Sequence, residues 1–336
     1  MDDARRSGRR LLATFALLAP VLAAGAMAGC GGSFNGDDGA PLPAREDASG
    51  DAPADGRSAN DSGVDASPDV VDASVPACDL TKPFDAPTVI TELNSAAEDS
   101  VSGVSPDELT IYVSTNYQLT GEHSFYATRP SKTATWGALQ PLFPNGNFDD
   151  WSASVTTDGL TAVVSSDRNG NNSELYVATR GSALAAFGPL GLIAGATNSS
   201  ANEEGPHWSA DGKTLYFDST RGGSRDLYRA SVVGATFGAP QAITELNSGA
   251  LDAVPVVSAD ELTVYFLSGR APTSDGDIYV ATRASKALPF GPPKVLGNVN
   301  SPQLDVPGFL TADGCTLYMT STRLGSADIY VARRPK

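Results

Sequence analysis

The sequence predicts an all-β fold, a five-bladed β-propeller, and three observations lead there. Aromatic residues recur at Phe84, Trp136, Phe187, Phe237 and Phe290, 50 to 53 residues apart. Turn aspartates keep the same step at Asp107, Asp158, Asp211, Asp260 and Asp313. Between them lie short alternating runs of β-branched and aromatic residues, and no long stretch has helical periodicity. Four short strands per unit of about fifty residues, repeated along the chain, are the pattern of propeller blades.

The chain opens with Arg5, Arg6, Arg9 and Arg10, an apolar run from Leu11 to about Ala24, and small residues ending in Met27-Ala28-Gly29-Cys30. This layout is that of a secretion signal over residues 1–29. The apolar run is too short for a confident membrane span, which needs roughly 20 predominantly apolar residues. The residues around Cys30 resemble the lipobox of bacterial lipoproteins, which implies lipidation of Cys30 and a membrane anchor in the cell envelope. An ordinary cleaved signal with an incidental cysteine is the alternative. Residues 30–80 follow, rich in Asp, Ala, Ser, Gly and Pro, with eleven acidic and two basic side chains. Such a stretch cannot bury enough apolar surface to offset chain entropy and reads as a disordered tether. Its acidity argues against nucleic acid as a partner.

Residues 81–336 carry the repeats. In the third unit, Pro206-His207-Trp208-Ser209 and Thr214-Leu215-Tyr216-Phe217 flank a turn at Asp211-Gly212, and a further strand follows at Leu227-Tyr228-Arg229-Ala230. The turn aspartates read as side-chain caps of tight hairpins. The segments Ser209-Ala210-Asp211-Gly212-Lys213-Thr214-Leu215-Tyr216-Phe217 and Ser224-Arg225-Asp226-Leu227-Tyr228 resemble the TolB-type, WD-repeat-like propeller family of bacterial envelopes. The resemblance covers about residues 84–333 and implies a propeller that acts mainly as a binding module. It speaks for the fold more than for an activity.

Phe84 to Ser95 nearly duplicates Phe237 to Ser248, the outer strand of a complete unit. The first strand is therefore expected to complete the last blade and close the ring. An open solenoid is the structural alternative. Cys78 lies six residues before that strand, and Cys315 begins the second strand of the unit it would complete. A disulfide between them is expected in an oxidising compartment, the alternative being two thiols.

Arg168, Arg221, Arg270 and Arg323 precede Glu174, Asp226, Asp277 and Asp328 across hairpin turns, which suggests ion pairs bracing those turns. Eight residues before each turn aspartate stands another acid: Asp99, Asp150, Glu203, Asp252 and Asp305. Each falls where the chain passes from an outer to the next innermost strand, so all five are expected around one mouth of a central channel. They either cap their own loops or share a cation, calcium among the candidates, or a basic ligand segment. Trp151, His207 and Trp208 are the departures near the innermost strands, and Trp151 and His207 join the candidate ligand site. No zinc pattern exists, and His207 has no serine or cysteine partner in a recognisable motif. The expected protein is a monomeric, non-enzymatic module that binds an envelope protein, a peptide or a glycan. The alternative is a glycoside hydrolase using axial carboxylates, as in some five-bladed propellers.

Overall fold

The structure is a computed structural model that describes residues 78–116, 121–143, 148–170, 172–271 and 276–336. The signal over residues 1–29, Cys30 and the tether up to residue 77 lie outside the described residues. Every regular element described is a strand except for one short 3₁₀ turn at Thr91–Leu93.

Each unit contributes three six- to eight-residue strands in antiparallel order. The first strands are Asp99–Val104, Asp150–Val155, Glu203–Trp208, Asp252–Val257 and Asp305–Leu310. The second are Thr110–Thr115, Thr161–Ser166, Thr214–Ser219, Thr263–Ser268 and Thr316–Ser321. The third are His123–Thr128, Glu174–Thr179, Asp226–Val233, Asp277–Thr282 and Asp328–Arg333. A two-residue strand then pairs with each third strand; for the fifth unit this strand comes from the start of the repeats, Thr88 and Val89 lying opposite Val331 and Tyr330. Hairpins between first and second strands are fixed as the sequence suggests. The side chain of each turn aspartate accepts the hydroxyl of the Ser or Thr two residues earlier at 2.5–2.7 Å and the N–H two residues later at 2.9–3.1 Å.

The first strands pack on one another in unit order, and that of the fifth unit packs on that of the first. Each boundary buries an apolar cluster, such as Phe84, Tyr265, Ile278, Leu317 and Tyr330 between the fourth and fifth units. Polar contacts stitch the same boundaries. The N–H of the third residue of a first strand donates to a side chain on the second strand of the preceding unit: Ser152 to Ser114 at 2.9 Å, Val254 to Asp218 at 2.9 Å and Val101 to Thr320 at 3.2 Å. Between the fourth and fifth units the receiver is Pro307, which has no N–H, and the facing position is Leu267. Further out, Tyr112 bonds Arg180 and Tyr318 bonds Arg129, while Arg334 donates to the Tyr265 hydroxyl at 3.2 Å. Each of those arginines also lies over the aromatic residue that marks its unit, at 4.3 Å from Phe187, 4.1 Å from Trp136 and 4.0 Å from Phe84. Val163 replaces the tyrosine at the boundary of the second and third units, and there it packs with Val232, Trp208 and Phe237 in an apolar cluster.

Cys78 and Cys315 form a disulfide, with Cα atoms 5.6 Å apart. It fastens the entry of the chain to the turn at Asp313, beside the hydrogen bond from the Asp79 N–H to the Pro335 carbonyl at 2.9 Å.

Candidate functional site

Strand geometry decides which acids reach the centre. Successive side chains on a strand point to opposite faces, and the first residue of every first strand points into its own unit. Asp99, Asp150, Glu203, Asp252 and Asp305 are accordingly buried, none more than 4% exposed. Asp252 accepts from the Ser248 N–H at 2.6 Å, from the Ser248 and Ser268 hydroxyls at 2.7 and 2.6 Å, and from Arg270 at 2.6 Å. Arg168, Arg221 and Arg323 likewise pair with Asp150, Glu203 and Asp305 at 2.6, 3.1 and 2.6 Å. Two expectations are corrected by this. The arginines bind the buried acids eighteen residues earlier instead of bracing the turn acids. The five acids do not line a common mouth, because all five are buried within their own units. Among the described residues no three His, Cys, Asp or Glu side chains are grouped to hold a metal ion.

The second residue of each first strand faces the centre instead. Ser100, Trp151, Glu204, Ala253 and Val306 line one cavity of 60 Å³, together with Glu122 and Asp149 from the loops at this end and Arg225. That volume holds a few waters. None of these central positions repeats from unit to unit, which is what a site requires and a structural motif does not.

The electrostatics of this end are uneven. Burial pushes the Glu122 carboxyl up to about 8, helped by the neighbouring charges of Asp149, Glu204 and Glu98, against a hydrogen bond from Ser100. Glu122 therefore carries its proton at neutral pH. Glu204 is ion-paired with Arg225 and accepts the Ser173 hydroxyl at 2.6 Å. Arg225 also donates to Asp218 at 2.5 Å. Burial raises Asp218 to about 6 despite the guanidinium, and the pair is charged at neutral pH. Burial opposes the charge on Arg225, but its two carboxylates outweigh it.

The backbone here is shaped to bring these groups together. Ser152, Gly205 and Val254, at the third position of consecutive first strands, take φ of 54°, 58° and 50°. For a β-branched residue such as Val254 this is strained, and the bond to Asp218 holds it. At Gly205 an added Cβ would stand 2.6 Å from the Asp218 carboxylate, and at Gly121 it would collide with that of Asp149. Both carboxylates sit where only glycine leaves room.

Of the residues singled out in the sequence, Trp151 lies in this cavity and His207 does not. His207 lines a separate cavity of 800 Å³ at the other end of the first strands, with Trp208, Phe309 and Leu310. Burial lowers its imidazole to about 4, so the ring is neutral there. Trp151 and His207 thus belong to different sites. Glu122, Asp149, Glu204, Asp218 and Arg225 are not legible in the sequence, because no recurring spacing marks their positions. Their own lack of repetition was the available signal.

No family model and no curated protein matches the chain. Among solved structures, an endo-arabinase from Bacteroides thetaiotaomicron VPI-5482 superposes with a TM-score of 0.54 at 16% identity, over 75% of this chain and 97% of that one. The fold is a β-propeller. TolB from Acinetobacter baumannii superposes at 0.43 and 17% identity over 72% of this chain; the propeller chain spans 57% of that TolB. A thermostable family-43 glycoside hydrolase superposes at 0.49 and 15% identity. The expectation that the chain is no enzyme is thereby corrected: the endo-arabinase, which shares this fold, is an enzyme. The sequence offers no zinc pattern and no nucleophile partner for His207, but the central carboxyls stand in unlike surroundings, which acid–base chemistry can use.

Proposed function

We propose that the chain is a five-bladed propeller, closed by Thr88–Val89, whose central site binds and hydrolyses a neutral glycan. The blade count and closure are supported by the boundary contacts, which run from each unit to the next and from the fifth to the first. The observation that carries the activity is the contrast between Glu122, protonated at neutral pH, and Glu204, ion-paired with Arg225. Glycoside hydrolysis needs one carboxylic acid to protonate the leaving oxygen and one carboxylate to assist water or stabilise positive charge at the anomeric carbon. In this reading Glu122 gives its proton to the glycosidic oxygen as that bond breaks. Water supplies the hydroxyl at the anomeric carbon, and its proton goes to the Glu204 carboxylate. Asp149 and Asp218 add negative potential that favours the developing cation and disfavours acidic sugars. The small cavity admits the water, while the sugar rests outside it. The Cys78–Cys315 disulfide fits an oxidising compartment, to which the signal over residues 1–29 would deliver the chain.

The test is hydrolysis of a panel of neutral polysaccharides that includes arabinan. Activity is expected to fall as pH rises through about 8, where Glu122 loses its proton. Glu122→Gln should retain glycan binding and lose roughly 10²-fold or more in rate, the scale of a general acid. A chain that neither binds nor cleaves any neutral glycan overturns the proposal, as does a Glu122→Gln variant of unchanged rate.

A further inference from the structure

A cavity of 270 Å³ opens between the third and fourth units and shares no lining residue with the central cavity. Three cations, Arg229, Arg283 and Lys286, and two acids, Asp211 and Glu261, contribute to its wall. At three other boundaries a tyrosine and an arginine bond each other in the matching place: Tyr112 with Arg180, Tyr318 with Arg129 and Tyr265 with Arg334. Here the Tyr216 hydroxyl donates to Glu261 instead, at 2.6 Å. Glu261 follows the turn aspartate Asp260, at a position where the second, third and fifth units have glycine.

Both acids of this cavity are already engaged. Glu261 Oε2 holds the tyrosine hydroxyl and Oε1 accepts from Lys286 at 2.5 Å, while Asp211 caps its own turn. Arg283 spends Nε and Nη1 on the carbonyls of Glu261 and Lys286, at 2.8 and 3.2 Å. Its Nη2 stands 3.8 Å from Glu261 Oε2, too far for a hydrogen bond. Arg229 is the remaining cation. It is half-buried on the third strand, in register with Tyr216 on one side and Gln241 on the other. Among the described residues its side chain has no hydrogen bond and no ion pair. The other units have Tyr126, Val177, Val280 and Val331 at this position. The valines need no partner, and the Tyr126 hydroxyl has one, donating at 2.9 Å to Gln140, the counterpart of Gln241. Only in the third unit does the position carry a charge, and two carboxylates against three cations leave it unanswered, in a chain whose net charge is −16.

We propose that this cavity binds a small hydroxylated monocarboxylate of the sugar-acid class, its carboxylate on Arg229 and Arg283 Nη2 and its hydroxyls on Thr214, Ser231 and Gln241, which complete the polar wall. The guanidinium fork matches a planar carboxylate in two parallel bonds. One excess positive charge balances one carboxylate, whereas a phosphate monoester brings about −1.5 to −2 at neutral pH. The volume lies below the range of about 300–1,000 Å³ of sites for drug-sized ligands, so a single sugar ring fits and a polymer does not. This site is separate from the central carboxyls, so its test does not depend on glycan hydrolysis.

The test is calorimetric titration of the full chain with D-glucuronate, D-glucose, acetate and inorganic phosphate. Saturable one-to-one binding of glucuronate is expected, at least about tenfold tighter than any of the other three, the loss expected when one charge-assisted contact is removed. Arg229→Val introduces the residue that three other units carry at this position, so the fold should hold, and glucuronate binding should weaken at least about tenfold. Arg229→Gln, which keeps a polar side chain without the charge, should weaken it as much. Absence of saturable binding, glucose, acetate or phosphate bound as tightly as glucuronate, or binding unchanged in both variants overturns the proposal.

Discussion

Asp252 illustrates how a buried charge is accommodated in this molecule. Four donors converge on it, and Arg270, which is the charged one, lies over the adjacent rings of Phe266 and Tyr279 at 5.3 and 5.2 Å. Arg270→Ala leaves a fully buried carboxylate without its cation and should cost about 3–5 kcal/mol. Asp252→Asn combined with Arg270→Ala should cost distinctly less than the two singles added together, a coupling that denaturant unfolding of the four proteins measures. Equal and additive losses would mean that the pair does not act as a unit. The recurrence of the acid was plain in the sequence, and so was the arginine ten residues after four of the five turn aspartates. Their partnership was not, because it spans a hairpin and joins residues eighteen apart, a distance that no local rule connects. The Asn-Ser pair before the acids was visible too. Asn247 and its counterparts Asn94, Asn198 and Asn300 accept the N–H of a third-strand residue at 2.7–2.9 Å, and the next serine caps the acid.

At the scale of the strand, the same alternation that made the fold legible hid the site. Second and third strands read clearly because turn chemistry and β-branched runs are local signals. First strands are short and covered on both faces, Asp305–Leu310 having a single half-buried residue, so apolar pattern alone could not say which face met the centre. A shift of one residue changes the face entirely, which is why Glu203 was singled out and Glu204 was not. The first strands also differ in how they are latched. Pro307 needs no acceptor, and Leu267 opposite it offers none. Pro307→Ala exposes a buried N–H to a leucine and should destabilise by about 1–3 kcal/mol. Adding Leu267→Ser should recover part of that loss by recreating the contact that Ser114 makes to Ser152. Thermal unfolding of the two singles and the double decides it, and a double variant no better than the sum of the singles would refute the latch.

Over the whole molecule, the disulfide joins residues 237 apart in sequence. On loop-entropy grounds it stabilises by at most roughly 5 kcal/mol. Cys315→Ser, or reduction of the native chain, should lower the melting temperature and raise amide exchange at Ile90, whose N–H bonds the Ile329 carbonyl of the fifth unit. Unchanged exchange there would show that Thr88–Val89 holds without it. That pairing across the ends has a further meaning for the order of the gene. Because the start and finish of the repeats lie side by side, with Asp79 hydrogen-bonded to Pro335, spatial neighbourhood does not depend on which unit is made first. A circular permutant that links residue 336 to residue 79 and opens the exposed turn at Gly222-Gly223 would preserve every strand partner while placing Glu204 and Arg225 on opposite sides of the new termini. The starting point of translation then becomes a choice about folding order, since the unit completed last would be the one that carries the central acid.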